Sequence, residues 1–284
     1  MRVLVTGADG QLGYDVVNKL KKLDIDHIGV EKKDFDLTNK KETIDFIFGY
    51  EPDVIVHCAA YTDVDQAELE RELCYKVNVE GTKYVAEVAK KSNAKILYIS
   101  TDYVFDGQGK EPFEVTDKPN PINYYGETKY QGEQEVQNLL DKYFIVRTSW
   151  VFGEHGNNFV KTMLKLGKER DELSVVADQY GSPTYTGDLA DLIVEMIKTV
   201  KYGIYHATNE GFCSWYNFAE SIFEKSGIDM KVNPISSDDY PTKAKRPLNS
   251  RLSKENSDKS GIDRMPHWED AITRFIEELN SQEV

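Results

Sequence analysis

The N-terminal stretch Met1–Gly13, MRVLVTGADGQLG, decides the fold. Arg2 to Thr6 is a short apolar and β-branched run; Gly7, Gly10 and Gly13 follow at three-residue spacing, and Gln11 to Leu23 is compatible with a helix. A buried strand that turns into a helix through glycines can cradle a pyrophosphate. Without Cβ atoms the backbone comes close to the anion, and the helix N-terminus offers N–H groups that have no intrahelical acceptor. The same residues also read as an ordinary glycine-rich turn. Their place directly after a strand is the context that a dinucleotide site requires.

Outward from this loop, short apolar runs recur between longer amphipathic segments: Val3–Val5, His27–Val30, Val54–His57, Ile96–Ile99 and Phe144–Arg147. Near-continuous hydrophobicity implies burial on both faces, as in parallel strands. Leu12, Val16, Val17 and Leu20 keep helical spacing between two of them. The alternation predicts an α/β fold, a Rossmann-type doubly wound parallel sheet with a smaller C-terminal lobe. Residues 1–150 are expected to form the dinucleotide-binding domain. Residues 151–284 are expected to form mainly a substrate-binding lobe that can return segments to the first domain. Helices are expected over Asn157–Lys168, Thr186–Val200, Ser214–Lys225 and Trp268–Leu279, a strand within Glu172–Tyr185, and a long surface loop over Asn233–Ser250.

Composition narrows the function classes. The chain of 284 residues carries a formal net charge of −14, which argues against nucleic acid as a partner. No apolar run approaches the roughly 20 residues of a membrane helix, and no leader pattern is visible. Cys58, Cys74 and Cys213 have no C-x-x-C spacing and read as free thiols. Together these features predict a cytoplasmic protein. The five histidines are scattered, so no metal ligands are assigned.

Several positions carry chemistry. Glu31 closes the second strand 18 residues after Gly13, where an acid can accept hydrogen bonds from both adenosine ribose hydroxyls. That tilts the choice toward NADH, while Lys32 and Lys33 could equally meet the 2′-phosphate of NADPH or form a surface turn. Asp36 and Leu37 could border the adenine. VIVHCAAY (54–61) ends a strand in small residues, which either admits a flat ligand or simply packs tightly. Asn78 could steady a neighbouring loop. Ser100, Thr101 and Asp102 stand at the carboxyl end of a strand, where open α/β sheets bind ligands; Ser and Thr there also merely cap turns. Tyr125 and Lys129 lie four apart on a predicted helix and share a face. An ammonium beside a phenol favours phenolate, so Lys129 is expected to lower the Tyr125 pKa and make it a proton donor and acceptor.

With these residues together, the chain resembles the extended short-chain dehydrogenase/reductase superfamily, through Tyr125-x-x-x-Lys129 and the Gly7/Gly10/Gly13 loop. Within it the chain is similar to the dTDP-4-dehydrorhamnose reductase family. The matching pieces are GADGQLG (7–13), CAAYTDVDQAE (58–68), STDYVFDG (100–107), YGETKYQGE (125–133), RTSWVFG (147–153) and DQYGSPT (178–184), with a looser match at Arg246-Pro247. The resemblance implies a nicotinamide cofactor, NADH or NADPH. Gly7, Gly10, Gln11, Leu12 and Gly13 would hold its pyrophosphate and Glu31, Asp36 and Leu37 its adenosine. Ala59, Ala60 and Tyr61 would line the nicotinamide side, and Lys129 would bind the ribose and tune Tyr125. Thr101, Asp102 and Trp150 would contact the sugar of a nucleotide-sugar substrate. The implied reaction reduces a 4-keto group, with Tyr125 as proton donor aided by Lys129 and Thr101. Some members use a magnesium ion between subunits; no matching carboxylate cluster is seen, so no metal is carried over and a homodimer stays an open expectation.

Three other readings compete, the first being an epimerase or a dehydratase of the same superfamily. In dehydratases of this superfamily an Asp-Glu pair follows the threonine, whereas Asp102 here precedes Tyr103. Epimerases usually have more C-terminal chain than the 134 residues from 151 to 284. A non-catalytic dinucleotide-binding subunit would have no chemical need for the intact Thr101, Tyr125 and Lys129. A reductase of another activated sugar would share all of these residues.

Overall fold

The computed structural model describes residues 1–282. Its centre is a parallel sheet of six strands: β1 (Val3–Thr6), β2 (His27–Val30), β3 (Val54–His57), β4 (Lys95–Thr101), β5 (Tyr143–Thr148) and β6 (Gly203–His206), in the order β6-β5-β4-β3-β1-β2. The sheet helices are α1 (Gln11–Lys22), α2 (Lys40–Tyr50), α3 (Thr82–Ser92) and α4 (Tyr124–Leu139). Val3 and Val5 face α1, while Leu4 between them faces the α2–α3 side, as strand alternation requires. Leu12, Val16 and Leu20 of α1 form one apolar layer over the sheet; Ile47, Val85, Val88 and Val136 contribute to the other.

β1 has β2 on one side and β3 on the other, each in parallel register, Val3 opposite both His27 and Val54. The chain thus leaves β1 in one direction and crosses back in the other. The loops that follow β1 and β3 diverge at their carboxyl ends, and a crevice opens where such sheets bind ligands.

The C-terminal half divides its residues between two structures. Of its helices α5 (Phe159–Gly167), α6 (Thr186–Ile197), α7 (Trp215–Ser226) and α8 (Trp268–Gln282), α6 packs on α1 through Leu189, Ile193, Val194 and Ile197. β6, Ile262 and Met265 also belong to the sheet layers. The lobe proper packs around Phe152, Val160, Phe218, Ile222, Trp268 and Phe275.

The stretch expected as a surface loop, 233–250, is irregular over most of its length but begins in a strand and is partly buried, which corrects that expectation in part. Lys231–Ile235 pairs in parallel with Glu172–Val176, and Ala244, Asn249 and Ser250 are buried. Asn249 Nδ2 donates to the Glu111 carbonyl at 2.8 Å. Polar loop composition does not distinguish side chains that meet water from side chains that satisfy buried backbone.

One buried ion pair fixes α4 on the sheet. Arg147 of β5 donates through Nε and Nη2 to the two carboxylate oxygens of Glu133, at 2.8 and 2.7 Å, and Ser100 Oγ donates to Glu133 at 2.6 Å. Ser100 therefore serves this network, which separates it from its neighbour Thr101.

Candidate active site

A cleft of about 800 Å³ runs along the carboxyl ends of the strands, from the glycine loop to the lobe. Gly7, Gly10, Gln11, Leu12, Gly13, Glu31, Asp36, Leu37, Ala59, Ala60, Tyr61, Thr101, Asp102, Tyr125, Lys129 and Trp150 all border it. The structure thus brings together all the site residues expected from sequence.

The glycine loop is shaped for an anion. Gly7 has φ +66°, and a Cβ there would come within 2.8 Å of the Ala59 backbone. A Cβ on Gly13 would overlap the Gly7 carbonyl oxygen. Gly10 precedes α1 with no side chain to cap it, so the first turn's N–H groups face the cleft end without a side-chain acceptor. These features fit a dinucleotide pyrophosphate. At the adenosine end, Lys33 Nζ sits 2.6 Å from Glu31, and Asp36 accepts from Thr38 through both backbone N and hydroxyl, which lowers its pKa.

Ala59 and Ala60, both small, form part of the opposite wall of the cleft. Asn78 holds that wall: its Oδ1 accepts from Tyr61 N at 2.8 Å, and its Nδ2 donates to Tyr61 O at 3.2 Å. Asn78 lies in a π-helical turn, Lys76–Gly81, whose extra residue turns the amide inward.

The reactive end is built by α4. Asn123 caps the helix, accepting from Gly126 N at 2.8 Å. Gly126 lies against Tyr103; a Cβ there would overlap the Tyr103 carbonyl oxygen. This contact seats Tyr125 beside the end of β4. Lys129, one turn on, is buried, with Nζ 4.1 Å from the centre of the Tyr98 ring. Thr101 donates to Asp102 at 3.0 Å and accepts from Tyr103 N at 3.1 Å. It therefore both caps a turn and borders the cleft.

The electrostatics correct one expectation. The Tyr125 pKa is raised, not lowered: desolvation dominates, the Asp102 charge adds to it, and Thr101 opposes both. Lys129 is itself pushed down to about 7 by burial, against the pull of Glu133. Asp102 is pushed up to about 6, also by burial, with Ser250 and Thr101 opposing. Burial sets the direction at both Tyr125 and Lys129 because the whole cluster is removed from water.

Trp215 of the cleft had no sequence signal, and Arg246 behind it had only the looser family match. Trp215, the first residue of α7, stacks on Trp150 with ring centroids 3.7 Å apart, and both border the cleft. Arg246 Nη2 lies 2.6 Å from Asp65, and its Nη1 donates to the Tyr103 hydroxyl at 3.4 Å. It ties the 244–246 segment to the short helix Val64–Ala67. Sequence separations of 65 residues (Trp150 to Trp215) and 181 residues (Asp65 to Arg246) leave no periodicity to read.

Among the described residues, no group of three or more His, Cys, Asp or Glu is placed to hold a metal, and no helix is long and apolar enough to cross a membrane. The three cysteines are free.

Comparison with known proteins places this architecture. A family model described as the RmlD substrate binding domain matches residues 1–281. A dTDP-4-dehydrorhamnose reductase of Aggregatibacter actinomycetemcomitans is 48% identical over 269 residues, 88% of this chain and 90% of that protein. The crystal structure of a dTDP-4-dehydrorhamnose reductase from Bacillus anthracis str. Ames in complex with NADP superimposes with a TM-score of 0.95, at 47% identity, covering 98% of this chain and 99% of that one. A UDP-glucose 4-epimerase of Thermus thermophilus, in complex with NAD, shares the fold at a TM-score of 0.84 and only 19% identity, covering 99% of each chain. With a match that runs nearly end to end and identity close to one half, the chain belongs to the dTDP-4-dehydrorhamnose reductase family.

Proposed function

We propose that this protein reduces the 4-keto group of dTDP-4-dehydro-L-rhamnose to give dTDP-L-rhamnose, with a reduced nicotinamide dinucleotide bound along the glycine loop. The observation that carries the reading is the convergence of Tyr125, Lys129 and Thr101 on the cleft that the glycine loop begins. The cofactor, when bound, supplies the hydride. Everything else falls to the chain. Gly10, Gln11, Leu12 and Gly13 hold the pyrophosphate on free N–H groups. Tyr125 gives a proton to the oxygen that becomes the hydroxyl. Its raised pKa suits that task, because an acid must arrive protonated. Lys129 steadies the phenolate left behind, and Thr101 turns its single hydroxyl proton from Asp102 to donate a hydrogen bond to the same oxygen. Asp102 and the stacked Trp150 and Trp215 position the sugar ring. Alignment of these groups supplies much of the acceleration.

The purified protein, given NADPH or NADH and dTDP-4-dehydro-L-rhamnose, is expected to consume reduced nicotinamide and substrate in equal amounts. An epimerase would interconvert sugars with no net loss of reduced cofactor, and a silent subunit would do neither. Either result overturns the reading.

Two predictions concern the cofactor. Lys33 lies against Glu31, so the adenosine end offers both an acid for ribose hydroxyls and a cation for a 2′-phosphate. Both cofactors are expected to serve. Glu31→Ala should weaken NADH more than NADPH, by about a hundredfold if two charge-assisted hydrogen bonds are lost; equal weakening would remove Glu31 from ribose recognition. Lys129, pushed down to about 7 by burial, is partly neutral at pH 7.5. An anionic dinucleotide favours the ammonium, so binding should take up a fraction of a proton. Calorimetry in buffers of different ionisation enthalpy reads this uptake, and Lys129→Met should abolish it.

A further inference from the structure

His57 ends β3 directly before Cys58, which lines the cleft; it is buried, and its ring joins two threonine hydroxyls. Nδ1 lies 2.7 Å from Thr6 Oγ1 and Nε2 lies 3.2 Å from Thr82 Oγ1. Beyond the threonines the directions are set by the backbone. Ala59 N donates to Thr6 Oγ1 at 3.2 Å, and Thr82 Oγ1 donates to the Asn78 carbonyl at 2.7 Å. The Thr82 proton is thus committed to Asn78, so Thr82 can only accept from the ring, which places a proton on Nε2. Nδ1 then accepts from Thr6. The opposite tautomer would leave the Thr6 proton without an acceptor and the Asn78 carbonyl without the Thr82 hydroxyl.

This chain ends on the residue that assembles the reactive wall. The Asn78 side chain grips Tyr61 at both backbone polar groups and donates through Nδ2 to Thr128 Oγ1 at 3.0 Å. Thr128 in turn donates to the Tyr125 carbonyl at 2.9 Å. The end of the glycine strand, the Ala59–Tyr61 wall and the Tyr125 helix are therefore one hydrogen-bonded unit with His57 at its centre.

We propose that His57 is a positioning residue for the reduction: as a neutral Nε2–H imidazole it links Thr6 to Thr82 in one directed chain that sets the Ala59–Tyr61 wall against the Tyr125 helix. The inference rests on the reductase reading for its kinetic consequence, but the tautomer stands independently of any activity.

Two measurements test it. In wild-type protein labelled with ¹⁵N-histidine, the His57 ring is expected to show a protonated Nε2 and an unprotonated Nδ1; the reverse pattern overturns the chain whether or not the protein turns over. Thr6→Val and Thr82→Val, which conserve volume, break it at opposite ends. Each is expected to lower kcat about tenfold through misalignment, with KM for the nucleotide sugar within about twofold. The double variant should be no slower than the slower single, since either break releases the same unit. Thr82→Ser, which restores the hydroxyl, should return kcat to within about twofold of wild type. Multiplicative losses in the double variant, or no rescue by serine, would show independent packing effects and overturn the positioning role.

Discussion

Tyr125→Phe is expected to lower turnover by about 10²–10⁴-fold while leaving dinucleotide affinity within about twofold. Phenylalanine keeps the ring and its edge-on contact with Tyr103, whose centroid is 5.9 Å away. Only the proton is lost. The substrate oxygen would then have to draw its proton from water, against the loss of an acid already aligned in the cleft. Asp102 sharpens the expectation. Its charge helps to hold the Tyr125 pKa up, so Asp102→Asn should bring the phenol's pKa down and leave the residue still able to donate. Steady-state kinetics together with fluorescence titration of the cofactor separate loss of chemistry from loss of binding. Turnover that survives in Tyr125→Phe would remove the phenol from the reaction.

Glu133→Ala is expected to be the most damaging change outside the cleft, costing about 3–5 kcal/mol of stability. The carboxylate is fully buried, and Arg147 beside it is only 2% exposed, so truncation leaves a guanidinium without its counter-charge in the protein interior. Ser100 loses its acceptor as well. Removal of both charges should hurt much less than removal of one, because most of the penalty is the stranded partner. Urea unfolding of Glu133→Ala and of the Glu133→Leu/Arg147→Met pair measures the difference. A double variant less stable than the single would show that the pair is net stabilising rather than merely mutually compensating. The network also reaches the site: α4, which carries Tyr125 and Lys129, is pinned to β4 and β5 by Glu133, one turn beyond Lys129.

Local chemistry was legible from sequence and long-range assembly was not. The strand–glycine–helix unit at residues 3–22 and the shared face of Tyr125 and Lys129 follow from spacings of a few residues, which periodicity reports directly. The caps Asn158 and Ser214 likewise stand where the expected helices begin. The π-helical turn at Lys76–Gly81 was invisible, because one inserted residue leaves composition unchanged while re-aiming Asn78. The 244–250 segment read as loop because Asn249 and Ser250 have the same composition whether they meet water or buried carbonyls. The sign of the Tyr125 shift was misread for a related reason. Spacing revealed Lys129, but the desolvation and the Asp102 charge that raise the phenol's pKa depend on how β4 and α4 meet. Trp215 joined the site only through folding, by stacking on Trp150 from another helix.

In the proposed reaction hydride passes directly to C4 of the sugar while Tyr125 supplies the proton. Reduced nicotinamide carrying deuterium at its transferable position, mixed with the enzyme and dTDP-4-dehydro-L-rhamnose in ordinary water, tests it most directly. The expected product is dTDP-L-rhamnose with deuterium on C4, formed about 10²–10⁴-fold more slowly by Tyr125→Phe. Deuterium at any other carbon, or none in the product, would contradict it.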